Sequence, residues 1–201
     1  MCVALYVYGY RFVKLKNYLL GVEWLILATS AGNFAFYWVT YSQVSWDIMV
    51  FLDAFSRAFG VTLVAVLGMM AATHKFKPPI STDAWLFVAT MAATAILLYS
   101  GLFDPVLPYF YLAAWYLALI YLVYVTWKLY TAGETAVAVH MTMALLSITI
   151  VLTIYDFFPI PGDETNLVFN FYFIAMLTWG YGFSVFYYAY TALLRIADAP
   201  D

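Results

Sequence analysis

The sequence predicts an all-α, polytopic transmembrane helix bundle: six full spans and a short N-terminal apolar helix, together a seven-helix bundle in one domain, residues 1–201. Three observations carry that prediction. Apolar residues fill 67% of the chain and charged residues only 9%, against roughly a quarter charged in a soluble globular chain. Water could not solvate such a surface, so the outer solvent is hydrocarbon. The apolar residues also fall in stretches of about 20, the length a helix needs to cross some 30 Å of bilayer core. Finally, lysine and arginine are sorted to alternate ends of those stretches.

Taken in order, the full spans are Asn17–Thr40, Trp46–Thr73, Ala84–Phe103, Pro108–Tyr130, Thr135–Phe158 and Val168–Leu194. Proline, glycine and charge collect between them, at Lys75–Pro79, Asp104–Pro105, Gly133–Glu134 and Pro159–Glu164. Such short breaks form tight turns between antiparallel neighbours. No hydrophilic stretch suits a second domain, and no internal repeat is evident. Residues 1–13 are the awkward piece, since thirteen helical residues reach only about 20 Å. They lack the basic start and small-residue cleavage site of a signal peptide. They either lie in the interface or form a truncated first span; the second reading is preferred and puts the N-terminus outside.

Alternate ends of the spans gather Arg11, Lys14, Lys16, Lys75, Lys77, Lys128 and Arg195, while the opposite ends carry Asp47, Asp104, Asp163 and Glu164. The positive side is cytoplasmic, which places the C-terminus there. Arg57 alone among the basic residues lies inside a span.

Polar side chains at membrane depth are costly and often mark function. On the first full span Glu23, Ser30, Tyr37 and Tyr41 recur at helical spacing, with Asn33 beside them. On the next, Asp53 and Arg57 are four apart and share a face. Helix rise puts Asp53 about 10 Å below the outer end and Glu23 about 9 Å from the cytoplasmic end. Tyr155 and Asp156 end the penultimate span at the outer surface, and Asn170, Thr178, Tyr181 and Ser184 follow on the last. A polar pocket in the outer half, open to the outer leaflet, is the natural reading. The plainer alternatives stand beside it. Asp53 and Arg57 neutralise each other, Asp156 sits at the interface, Glu23 reaches the headgroups, and Asn33 bonds across helices. Trp46, Tyr109, Tyr111, Trp127 and Tyr130 fit interfacial belts; Tyr37, Tyr155 and Tyr181 fit them less well.

Other chemistries are dismissed. The net charge of −3 and the absence of a basic run give no nucleic-acid surface. Cys2 is the one cysteine, which excludes an internal disulfide or a cysteine metal cluster. His74 and His140 sit near cytoplasmic ends of different spans, a poor haem pair. Catalytic-metal spacing, a phosphate-binding glycine loop and a nucleophile elbow are missing. The last span has no mid-helix lysine for a retinal Schiff base. No metal or cofactor is expected.

Ala4-Leu-Tyr-Val-Tyr-Gly-Tyr10, a short basic turn and Gly32-Asn-Phe-Ala-Phe-Tyr37 resemble the small heptahelical integral-membrane terpene cyclases of meroterpenoid biosynthesis. The likeness covers roughly residues 4–41, and the rest agrees in helix order alone. In that family an Asn-Phe-Ala-Trp-Glu stretch on the second helix supplies a catalytic acid. Here that position is Tyr37, and the family's second acid, on the last helix, has no counterpart in Val168–Leu194. The resemblance implies acid-triggered carbocation chemistry on an isoprenoid, which needs a carboxylic acid in a dry pocket and aromatic faces for the cation. Asp53 and Tyr37 are the candidate catalytic residues. Asn33, Trp38, Arg57, Tyr155, Asp156 and Tyr181 are the candidate substrate-binding ones. Arg57, one turn from Asp53, competes for the same carboxyl group.

Two function classes follow: an intramembrane enzyme on an isoprenoid or lipidic substrate, or a non-enzymatic small-solute transporter or accessory subunit. The expected partners are membrane lipids, an isoprenoid or lipid ligand, and for an accessory subunit another membrane protein. Topology has a direct test. In a Cys2-free background, single cysteines introduced beside Lys75 and beside Asp163 are treated on intact cells with an impermeant thiol reagent. Labelling beside Asp163 alone is expected, and labelling beside Lys75 reverses the orientation.

Overall fold

The computed structural model describes residues 1–158 and 171–198. The predicted acidic turn with Asp163 and Glu164, and Asn170, lie outside the described residues. The protein is an all-α bundle. Its described helices are α1 (Cys2–Lys14), α2 (Tyr18–Thr40), α3 (Gln43–Thr73), α4 (Ile80–Tyr99), α5 (Leu107–Thr131), α6 (Thr135–Tyr155) and α7 (Phe171–Asp198). Five of them, α2 to α6, are long and apolar enough to cross a membrane. This composition makes the chain a membrane protein. In α7 the apolar run is diluted by Tyr172, Tyr181, Tyr187, Tyr188 and Tyr190.

Helix ends fall within a few residues of the sequence reading, because the breaking residues act where expected. Asn17 caps α2, accepting from Leu20 N–H at 3.1 Å, and donates to the Gly68 carbonyl at 2.8 Å. One buried amide thus satisfies a helix start and ties α2 to α3. Ser42 caps α3 by accepting from Ser45 N–H, so that helix begins before Trp46. Pro79 precedes the first turn of α4, four residues ahead of the predicted start. The sequence pattern missed one feature: residues Ser56–Val64 of α3 are π-helical. There Ala65 N–H reaches the Gly60 carbonyl, five residues back. A wider turn of this kind re-aims side chains and is frequent at functional sites.

The helices close a ring: α1 packs on α2 and α7, α2 on α3, α3 on α5, α5 on α6, and α6 on α7. The inner half of α3 also touches α7, whereas α4 packs chiefly on α3. α1 is therefore a member of the bundle, not a helix lying apart in the interface. Its Leu5 and Phe12 are fully buried. Phe12 meets Trp24, Tyr187 and Tyr190 edge-on, with centroids 5.2–5.4 Å apart, and the Trp24 indole N–H donates to the Phe183 carbonyl at 3.2 Å. This aromatic knot joins α1, α2 and α7 at the basic end of the bundle.

Lipid tails are as apolar as leucine, so helices in a membrane associate through close packing and not through hydrophobic expulsion. The α1–α2 contact shows this. A methyl on Gly21 would lie 2.6 Å from Val13 Cγ2 and 3.0 Å from the Val13 backbone nitrogen. A methyl on Gly32 would meet nothing nearer than Cys2 Sγ at 3.8 Å. Gly21→Ala should therefore lower stability by about 1–3 kcal/mol through overpacking. Gly32→Ala should raise it by about 0.5–1 kcal/mol through helix propensity. Thermal unfolding of both variants in one detergent checks this, and a shift of the same sign in the two would refute the close approach.

Candidate functional site

The backbone-to-backbone closeness of the basic end is lost toward the other end, where the ring of helices surrounds a cavity of about 490 Å³. α2, α3, α5, α6 and α7 all contribute to its wall. It lies on the side opposite the basic residues.

The polar part of this cavity is organised around Arg57. The residue stands at the start of the π-helical turn, one turn after Asp53. Its Nη1 is 3.7 Å from an Asp53 carboxyl oxygen. Its Nη2 donates to Asp156 at the end of α6 in a close ion pair. The guanidinium carbon lies 4.2 Å from the Tyr111 ring centroid and 4.7 Å from that of Tyr155. Two aromatic faces and two carboxylates thus replace the water that the cation has lost. Side-chain exposure is 12% for Arg57, 30% for Asp53 and 19% for Asp156. The carboxylates are therefore more open to the cavity than the guanidinium between them. Asp104 adds a further acidic group to the lining.

The remaining wall is aromatic and apolar. Trp38 and Trp46 stand near the charged cluster; Trp115, Trp179, Phe183 and Phe186 line the deeper part. The Trp115 indole N–H is satisfied by Thr149 Oγ1 at 3.0 Å, which leaves its ring as an apolar surface. Trp179 lies 5.8 Å from Tyr155, centroid to centroid, so the aromatic wall is continuous with the cage around Arg57.

Five of the residues selected from sequence come together here: Asp53, Arg57, Trp38, Tyr155 and Asp156 all line the cavity. Three do not. The Asn33 amide donates to the Thr29 carbonyl of its own helix at 2.9 Å, an i−4 bond that neither crosses helices nor reaches the cavity. Tyr37 stacks on Trp46 with centroids 4.8 Å apart, behind the wall. Tyr181 pairs with His140 Nδ1 at 2.8 Å on the exposed flank of α6 and α7, away from the cavity. Tyr111, assigned above to an interfacial belt, is 8% exposed and forms one side of the cation cage. Glu23 also requires correction: it does not reach the headgroups but is 0% exposed. Trp115 and Trp179 were missed because an aromatic residue in an apolar span carries no signal of which side it faces. Among the described residues no group of histidine, cysteine and carboxylate side chains could hold a metal ion.

Comparison with protein-family models, with curated proteins and with solved structures finds no match for this chain.

The cluster has a stability test. Arg57→Met leaves two neighbouring carboxylates with no cation and should destabilise the bundle by about 3–5 kcal/mol, as breaking a buried pair does. The triple variant Asp53→Asn/Arg57→Met/Asp156→Asn should recover most of that loss. Asp156→Asn should cost more than Asp53→Asn, since Asp156 holds the closer contact. Unfolding in detergent ranks the four proteins; a loss confined to Asp53→Asn, with Asp156→Asn unaffected, would show that the ion pair lies within α3 alone.

Proposed function

We propose that the cavity binds an isoprenoid or other lipidic molecule, and that the chain is an intramembrane enzyme acting on it by terpene-cyclase-like acid chemistry. The supporting observation is the cavity's division into two parts, a charged cluster at Asp53, Arg57 and Asp156 and a deep aromatic wall. Its volume falls within the range of about 300–1,000 Å³ typical of small-molecule sites. An apolar chain fits the wall, and a polar head fits the cluster.

The charges favour one kind of head. Arg57 lies over two tyrosine rings and has both terminal nitrogens engaged, so it offers little to an incoming anion. The groups open to the cavity are carboxylates. A phosphate or diphosphate is disfavoured, and a neutral oxygenated head such as an alcohol or epoxide is accepted.

Two carboxylates face one guanidinium, so a neutral cluster holds one proton. Asp53, at the longer distance and with the greater exposure, is the member placed to pass it on. Transfer of that proton to an epoxide oxygen or an alkene carbon opens the first bond and leaves a carbocation in the chain. Tyr111 and Tyr155 already face a cation, so the rings left to stabilise the carbocation are those of the deep wall. Loss of a proton from an adjacent carbon to the carboxylate closes the cycle, with no oxidant or reductant consumed.

The test is extraction and mass spectrometry of protein purified in mild detergent. The wild type should retain a neutral isoprenoid or lipid species above the annular background. Leu152→Trp, which fills part of the cavity, should lose it, while Asp53→Asn should keep it unconverted. Identical extracts from wild type and Leu152→Trp would overturn the proposal.

A further inference from the structure

Among the described residues, four of the five buried side-chain polar atoms without a hydrogen-bond partner lie on α2 and at the start of the π-helical turn; the fifth is Asp83 Oδ1 on α4. Both carboxyl oxygens of Glu23, the Ser56 hydroxyl and the Arg57 Nε–H are buried without a hydrogen-bond partner. All belong to α2 or to the first two residues of the π-helical turn. Glu23 is 0% exposed and Ser56 3%. Native interiors leave few polar groups in this condition, and each such group calls for a reason.

The position is built for a carboxyl group. A methyl on Gly60 would fall 2.3 Å from Glu23 Oε1 and 2.5 Å from the carboxyl carbon. The carboxyl therefore occupies the space that any other residue at position 60 would fill. Gly60 lies within the wider turn of α3, which begins at Ser56. Ser56, one turn before Gly60 on the same helix and itself unpartnered, lines the cavity. Leu27, one turn along α2 from Glu23, and Val61, next to Gly60, line it too. Glu23 thus lies directly behind the cavity wall, with Ser56 between. Among the described residues no lysine, arginine or histidine forms an ion pair with it. A lone carboxylate in such surroundings is untenable, whereas the neutral acid is not.

We infer that Glu23 and Ser56 form a second site at the inner end of the cavity, one that carries a proton and exchanges it with a bound molecule. The exchange, though not the proton, rests on the reading of the cavity as a binding site. The Glu23 O–H passes its proton to Ser56 Oγ as the Ser56 hydroxyl gives its own to an alkene carbon of the ligand. The alkene electron pair forms the new C–H bond and leaves a carbocation on the neighbouring carbon. The carboxylate left on Glu23 then has an opposite charge beside it. Return of a proton from a carbon next to the cation, through Ser56, forms a shifted double bond and restores both residues. The net change is an isomerisation in which atoms and electrons balance. The two ends of the cavity are then distinct: the outer cluster holds and protonates the polar head, and Glu23 with Ser56 acts on the chain.

Infrared spectroscopy of the protein in lipid nanodiscs tests the proton directly. The chain's glutamates are Glu23, Glu134 and Glu164. Labelling glutamate carboxyls with carbon-13 should shift the carbonyl stretch of a protonated carboxylic acid in the wild-type protein, without any substitution. Glu23→Gln should abolish that labelled band, Ser56→Ala should displace it, and Asp53→Asn should leave it in place. A spectrum with no protonated glutamate, or a band unchanged in Glu23→Gln, overturns the inference. Access from the cavity is tested with dicyclohexylcarbodiimide, an apolar reagent that adds protonated carboxyls. Peptide mapping should find the adduct on Glu23 in the wild type and a several-fold loss of it in Leu152→Trp. No adduct on Glu23, or equal labelling in the two proteins, overturns the connection between Glu23 and the cavity. Failure of the lipid-extraction test with these results intact would remove the proposed function and leave the proton-carrying site standing.

Discussion

Arg57 is the constraint to which the outer end of this bundle conforms. A guanidinium cannot be deprotonated, and within an apolar bundle it has little water to replace a missing partner. The chain meets the demand with side chains from three helices: Asp53 on α3, Tyr111 on α5, and Tyr155 and Asp156 at the end of α6. Those contacts hold α5 and α6 against α3 at the level where the helices have separated. The cavity is what remains between elements pinned at their rim by the cation and at their base by the Phe12–Trp24 aromatic knot.

Much of this was legible in the sequence, and the divisions between what was and was not are physical. Spans, breaks and the alternation of charge follow from transfer energetics, which composition alone expresses. Asp53 and Arg57 could be paired because helical spacing is local. Asp156 could be suspected but not assigned, because it meets Arg57 across 99 positions of sequence and spacing says nothing across that gap. Tyr111 was misplaced for a related reason: a tyrosine near a helix end satisfies either an interfacial belt or a cation cage. Tyr181 was selected for the site from its position on the last span, but facing needs neighbours, and its neighbour is His140. Asn33 had a cheaper partner in its own helix than any across the bundle.

The reading of Glu23 failed at the π-helical turn. On regular helix geometry alone, a carboxyl near the basic end of α2 is best placed by extending to the headgroups. The absent side chain at Gly60, within the wide turn, leaves space for it in the interior. Neither glycine nor serine in an apolar span announces such a turn, since both are common in membrane helices for packing reasons. The same local irregularity also sets Arg57 at its start and turns Ser56 to the cavity. One departure from regular winding thus organises both polar ends of the cavity.

The distribution of Arg57's partners along the chain also bears on biogenesis. Helices enter a membrane in order of synthesis, and α3 is complete long before Asp156 exists. A lone arginine at the centre of an inserting helix costs about 2.5–3.5 kcal/mol on insertion scales. Asp53 is made four residues earlier and rides in the same helix, so the nascent span carries its counter-charge with it. The 3.7 Å contact, secondary in the finished bundle, is then the first one to form. When the α5–α6 hairpin arrives, Asp156 and the two tyrosines join Asp53 around the guanidinium.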